Sequence, residues 1–188
     1  MESKYAIETG NLVSLSEQNL VSCSTQEGNM GCSGGWYYYA WTYAETKALM
    51  DDSDYPYTSG VSGQTENCKY KAKKGKVTVV TQTMVDGNID AIKAAIALQP
   101  CAVAISAGNP YFMNYSSGVL NSAVACGTRV DHAVTAVGYG TDPEFGPFYL
   151  VRNSWGTTWG ENGYVRIGIA DGKGICGINQ NVAFVAVN

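Results

Sequence analysis

The chain has 188 residues, 45% of them hydrophobic and 15% charged, which is enough apolar material for the core of one large domain or two small ones. Its formal net charge of -4 opposes binding to a phosphate backbone, and no run approaches the roughly 18 consecutive apolar residues of a membrane span. Nucleic acid and membrane are therefore set aside as partners, and the one basic run, Lys69, Lys71, Lys73, Lys74 and Lys76, reads as a solvated loop.

The N-terminal run MESKYAIETG has no basic region followed by an apolar one, whereas six cysteines suggest an oxidising compartment. Together they predict that these residues are part of a longer chain. Next, SLSEQNLVSC places Ser14 three residues before Glu17, a capping-box spacing that predicts a short helix to about Ser22. A second helix is expected from Ser33, carrying Trp36, Tyr37, Tyr38, Tyr39, Trp41 and Tyr43 on nearly every side and so buried between other elements. From Asp51 to Lys76 the composition is polar and turn-rich. KVTVVTQTMV then reads as strand, and NIDAIKAAIAL as a helix with Ile89, Ile92 and Ile96 on one face, ended by Pro100. Five strand-like segments follow: CAVAISA, HAVTAVGYG, FYLVRNSW, GYVRIGIA and VAFVAV. Helices first and strands later argue an α+β class with two layers or subdomains, and a cleft between them is a natural place for a site.

The run GCSGGW, Gly31 to Trp36, raises the question of a cysteine nucleophile. His132 is the only histidine, and there is no Cys-x2-Cys pair, so no zinc-type ligand set is expected and no cofactor is called for. Taken alone, a histidine opening an apolar strand is more often structural than catalytic. NSWGTTWGENGY, from Asn153, changes that, because a strand starting with His and one ending in Asn can bring imidazole and amide together, as nucleophilic catalysis by cysteine requires.

Six collinear stretches, TGNLVSLSEQNLVSCS, GCSGGW, DSDYPYT, VDHAVTAVGYG, YLVRNSWGTTWGENGYVRI and GICGI, resemble the papain-like cysteine peptidases, most closely the cathepsin L-like branch. The resemblance implies a two-subdomain fold: a helical subdomain, here partial, over 1–79, and a β-rich, barrel-like subdomain over 80–188 carrying His and Asn, with the active-site cleft between. It implies disulfides Cys23–Cys68 and Cys126–Cys176, and leaves Cys32 and Cys101 unpaired. Cys32 precedes His132 by only 100 residues, whereas the family spacing from nucleophile to histidine is about 130 or more. Cys32 therefore matches the disulfide cysteine that follows the nucleophile helix, and the nucleophile itself is expected in a segment before Met1, making the chain N-terminally truncated and inactive as given.

The same resemblance gives His132 the acid–base role and Asn153 the role of orienting it, with Trp155 covering their hydrogen bond and Trp159 contacting substrate beyond the cut bond. Gly34 and Gly35 would offer backbone to an extended substrate, and Trp36, Tyr37, Ala104, Val130, Asp131 and Asn181 match the second subsite. The expected partner is a peptide or protein substrate, with an inhibitory propeptide also implied; the molecule is expected to be a monomer, lysosomal, vacuolar or secreted. A single histidine favours endopeptidase action over dipeptide trimming. The alternative is an inactive relative that binds peptides or serves structurally.

Overall fold

In the computed structural model, which describes residues 1–188, Ser16 rather than Ser14 caps the first expected helix. Its hydroxyl accepts the Asn19 N–H at 2.9 Å, and the helix, α2, runs Glu17–Cys23 behind an opening helix α1 at Glu2–Thr9. Ser14 is committed elsewhere: its carbonyl accepts the Asp52 N–H at 2.8 Å, and Leu15 bridges Asp51. Tertiary pairing thus chooses between two serines that local pattern cannot separate.

The buried face of α2 is polar. Gln18 Nε2 donates to Ser22 Oγ at 2.8 Å and Ser59 Oγ at 2.7 Å, while its Oε1 accepts the N–H groups of Thr58 and Ser59, both at 2.9 Å. Asn19 donates to Tyr43 Oη at 3.0 Å and accepts from the Met50 N–H at 3.0 Å. Each amide is satisfied, so burial costs little and two later segments of the chain are fixed to one helix.

The aromatic helix begins later than Ser33. A 3₁₀ turn at Gly31–Ser33 leads to Gly34 at φ 99°, and α3 runs Tyr37–Thr46. Only Trp41, Tyr43 and Ala44 are buried; Trp36 to Tyr39 are half-buried and lean on one another, with Trp36 and Tyr38 stacked at 5.2 Å between ring centroids. The run is core on one face and surface on the other. Strands β1 (Leu49–Met50) and β2 (Gly75–Val77) pair antiparallel, and the turn-rich stretch between them carries the short α4 (Ser59–Ser62) and the Cys23–Cys68 disulfide. These elements belong to one compact unit, Met1–Gln82 with Val185–Asn188; the other is Thr83–Phe184.

After β3 (Val79–Val85), α5 spans Ile89–Leu98 as the isoleucine spacing predicts, capped by Asn88 accepting the Ala91 N–H at 2.8 Å. Next come β4 (Cys101–Ile105), α6 (Pro110–Met113), β5 (Val119–Leu120) and α7 (Ala123–Cys126). The chain then forms β6 (His132–Asp142), β7 (Gly146–Arg152), β8 (Tyr164–Gly168) and β9 (Val182–Val187). All five strand-like segments read from the sequence are strands. The sheet order is β3-β9-β4-β6-β7-β8-β5, a linear succession rather than a closed ring. Its core is made by Val103, Ile105, Ala136, Tyr149, Val151, Val165 and Ile167 with Ile92 and Ile96 of α5. Each large apolar side chain there contributes about 1.5–3 kcal/mol over the exposed state. No helix is long and apolar enough to cross a membrane.

Candidate active site

The β6–β7 hairpin does the assembling. Its antiparallel register pairs Thr135 with Arg152, so His132, which opens β6, and Asn153, which follows β7, fall at the same end of the ladder. On the other side of β6, His132 is paired with Ile105 of β4. The site therefore rests on the middle strands of a sheet with a dry core, the rigid setting that positional accuracy needs.

His132 Nε2 and Asn153 Oδ1 lie 2.8 Å apart. The same Oδ1 accepts the backbone N–H of Ser154 at 2.8 Å. That N–H can only donate, which fixes the amide with its oxygen toward it; Oδ1 can only accept, so the histidine proton on that side sits on Nε2. Nδ1 is left as the ring position that can take or give a proton. Asn153 is buried, and its Nδ2 has no hydrogen-bond partner, a cost of about 1–3 kcal/mol accepted at this position.

Trp155 lies along the imidazole, with 5.2 Å between ring centroids and planes 32° apart, and meets Phe112 edge-on at 5.5 Å. Trp159 packs against Trp155 at 5.3 Å, Phe112 at 5.1 Å and Tyr115 at 5.7 Å, while its Nε1 donates to Met113 O at 3.0 Å. Phe112 is fully buried and sits beneath both indoles. Asp131 is held with its carboxylate accepting from the N–H groups of Ala107 at 2.7 Å and Gly108 at 3.2 Å, and its own N–H donates to Ile105 O at 2.9 Å. Ala104 is buried next to Ile105, its N–H donating to Asn181 O at 3.1 Å; Val130 is half-buried. The six positions Ala104, Val130, Asp131, Asn181, Trp155 and Trp159 thus lie with His132 and Asn153 in the second unit.

Gly34, Gly35, Trp36 and Tyr37 belong to the first unit. Here the structure supplies a reason for glycine that the sequence does not carry. A Cβ on Gly35 would lie 2.0 Å from Asn29 Oδ1, whereas one on Gly34 meets nothing within 4 Å. Asn29 Oδ1 accepts the Trp36 N–H at 2.9 Å, and its Nδ2 donates to Ser24 Oγ at 2.8 Å, so Asn29 ties the glycine pair to the end of α2. Gly35→Ala is expected to destabilise the chain by about 1–3 kcal/mol through this clash, read by thermal unfolding. Wild-type stability in that variant would contradict the assignment.

Three further charged residues form an ion-pair network in the second unit. Arg166 Nη2 and Nε reach Glu161 at 2.7 and 2.9 Å, its Nη1 reaches Asp142 at 2.5 Å, and its guanidinium lies over the Phe148 ring at 5.4 Å. Glu161 also accepts the Gly118 N–H at 3.0 Å. The Arg166 hydrogen bonds hold the Glu161 carboxyl below its usual range, while those from the Glu144 and Phe145 N–H groups do the same for Asp142. Depressed carboxylate values stabilise the fold above the ordinary range near 4 and cease to do so as pH falls through the lowered values. Arg166→Met is therefore expected to lower stability at neutral pH, and the gap to wild type should narrow as pH falls below about 4 in pH-dependent unfolding. A gap that widened in acid would contradict it. Glu161 and Arg166 lie inside the GENGYVRI run, so sequence could flag the stretch but not the ion pairs.

A model of the papain family cysteine protease domain matches residues 1–186. A cathepsin L-like protein of Caenorhabditis elegans is 38% identical over 195 aligned residues, covering 100% of this chain and 55% of its own length. The cysteine proteinase RD21A of Arabidopsis thaliana is 42% identical over 95% of this chain and 38% of its own. Among solved structures, the Carica candamarcensis cysteine protease CMS1MS2 in complex with E-64 superposes with a TM-score of 0.84 at 37% identity, covering 98% of this chain and 82% of that one. The bromelain protease of Ananas comosus with the E64 inhibitor gives 0.86 at 35% identity, with 98% and 83% covered. The chain spans about half the length, or less, of these curated relatives. With the hairpin-built His132–Asn153 pair, the two disulfides and a match from end to end, the chain belongs to the papain family of cysteine proteases.

Proposed function

We propose that the chain is part of a cathepsin L-like cysteine endopeptidase that hydrolyses peptide bonds through a Cys-His-Asn arrangement, with the nucleophilic cysteine supplied from outside these 188 residues. The observation that carries the reading is the 2.8 Å His132–Asn153 hydrogen bond with the proton on Nε2, which leaves Nδ1 for the thiol. The two free cysteines support placing the nucleophile elsewhere. Cys101 is fully buried, its thiol pushed up to about 11 by burial, the opposite of what a thiolate nucleophile needs. In the β4–β6 register it lies four residues from Ile105, the partner of His132, or about 13 Å along the strand. Cys32 is exposed in the Gly31–Ser33 turn, with its N–H donating to Thr65 Oγ1 at 2.8 Å. The reading gives it a disulfide partner outside the chain.

In this mechanism His132 takes the thiol proton at Nδ1, and the resulting imidazolium stabilises the thiolate. The sulfur bonds to the substrate carbonyl carbon; as the tetrahedral intermediate collapses, the C–N bond breaks and His132 gives its proton to the leaving amine. Water, deprotonated by His132, then cleaves the thioester and the thiolate is regenerated. Asn153 keeps the ring in one tautomer and rotamer throughout. Trp155 and Phe112 limit the access of water to that hydrogen bond, and Trp159 faces the substrate beyond the cut bond. The Gly34–Gly35 backbone offers hydrogen bonds to an extended peptide. Within the second unit, Ala104, Val130, Asp131 and Asn181 carry the second-subsite assignment, with no acidic side chain at Asn181. The pocket then accepts Leu or Val at P2 and does not select Arg. The paired cysteines support a lysosomal, vacuolar or secreted setting, in which an inhibitory propeptide would hold the protein inactive until needed.

The test is a P2-varied peptide series with the longer protein from its own source. Leu should exceed Arg in kcat/KM by about tenfold or more, which is about 1.4 kcal/mol or more. Arg outperforming Leu would overturn the subsite assignment, and no turnover at all would favour a peptide-binding relative without catalysis.

A further inference from the structure

Asn114-Tyr115-Ser116 is the one place in the chain where an asparagine is followed two residues later by Ser or Thr without an intervening proline. That triplet is the acceptor for N-linked glycosylation, and its use requires a surface site in a chain that passes through the secretory pathway. The fold meets both conditions. Asn114 caps the C-terminus of α6 and is exposed, as is Ser116; between them Tyr115 is buried, its hydroxyl donating to Gly118 O at 2.7 Å. The acceptor residues thus stand outward on either side of an anchored ring. Asn114 Nδ2 donates to Pro110 O at 3.0 Å in a solvent-exposed hydrogen bond, and one N–H survives substitution to keep it. The disulfides Cys23–Cys68 and Cys126–Cys176 are those of an oxidising compartment, the setting in which such glycans are attached.

We propose that Asn114 carries an N-linked glycan, and that the glycan screens the Trp159 side of the site from folded protein substrates. In the transfer step Asn114 Nδ2 bonds to the anomeric carbon of a lipid-pyrophosphate-linked oligosaccharide. The anomeric C–O bond breaks, the lipid pyrophosphate leaves with the electron pair, and one amide proton passes to base. The position carries the second half of the proposal. Met113 O, one residue from the acceptor, takes the Trp159 Nε1 hydrogen at 3.0 Å, so the first sugar is attached next to the carbonyl that orients this indole. A branched polymer tethered there excludes bulk from the Trp159 rim and leaves room for an extended peptide. This second half rests on the peptidase reading; the modification itself does not.

The experiment takes the protein from its own source through amidase deglycosylation in ¹⁸O water, followed by peptide mass mapping. Asn114 is expected as ¹⁸O-labelled aspartate, with a single mobility step on the intact protein, and both Asn114→Gln and Ser116→Ala lose label and step. An unmodified Asn114 peptide would overturn the proposal whether or not the protein cleaves peptides. Because Ser116→Ala leaves Asn114 and its contacts in place, a folding defect confined to Asn114→Gln cannot obscure the outcome. In the active longer protein, removal of the glycan should raise cleavage of a folded substrate severalfold while short-peptide kcat/KM stays within twofold. Equal changes for both substrates, or none, would overturn the screening role.

Discussion

His132→Ala in the longer, active protein is expected to lower kcat/KM by about 10⁴-fold, and Asn153→Ala by about 10²-fold, with protein-concentration-normalised hydrolysis of one P2-Leu substrate as the readout. The ordering follows from geometry. Removing the imidazole eliminates both the acceptor of the thiol proton and the donor to the leaving amine, about 5.5 kcal/mol of barrier at that ratio. Removing the amide leaves the imidazole present and free to change tautomer or rotate. Asn153 Oδ1 is the acceptor that holds the proton on Nε2, and it is itself held by the Ser154 N–H, so its loss costs correct orientation in most encounters rather than the chemistry itself. The 10²-fold figure corresponds to about 2.7 kcal/mol. Equal loss in both variants, or activity within twofold in Asn153→Ala, would contradict the orienting role.

The second large effect is on stability. Cys126–Cys176 closes a loop of 50 residues that contains His132, the β6–β7 hairpin and Asn153. Both cysteines are buried, and both carbonyls are used: Cys126 O accepts from Ser106 Oγ at 2.8 Å and Asn109 Nδ2 at 2.8 Å, and Cys176 O from the Ser106 N–H at 2.7 Å. On the chain-entropy model, loss of the bridge frees the unfolded state by about 4 kcal/mol. The double variant Cys126→Ser, Cys176→Ser should therefore melt about 8–16 °C lower in a reversible thermal scan. A change under about 3 °C would mean that the local hydrogen bonds, not the cross-link, secure this corner.

Much of this was legible because pattern and topology agreed. In the second unit, alternating apolar residues in HAVTAVGYG and FYLVRNSW specified two strands, and a hairpin between them could only bring the leading His132 and trailing Asn153 to one end. The isoleucine period of α5 and its Asn88 cap likewise left little choice. What the sequence did not display were choices made by distant partners. Two serines compete to cap α2, and the winner is set by the pairing of Ser14 and Leu15 with Asp52 and Asp51. The polar residues Gln18 and Asn19 are buried against local expectation, because the start of α4 at Thr58–Ser59 and strand β1 at Met50 bring matching donors and acceptors. Asn29 offered no signal beyond its place before GCSGGW; its tie to the Trp36 N–H exists only once the glycine pair has folded back past it. Collinear motifs identified the stretch containing Glu161 and Arg166, but which carboxylates the guanidinium joins depends on the β7–β8 register and the Asp142 turn.

The most direct measurement is to label the longer protein from its own source with a stoichiometric peptidyl epoxide and identify the modified cysteine by mass spectrometry, with and without His132→Ala. A single labelled cysteine outside these 188 residues is expected, with labelling that slows strongly when His132 is removed. A label on Cys32 or Cys101, or a rate indifferent to His132, would contradict that expectation.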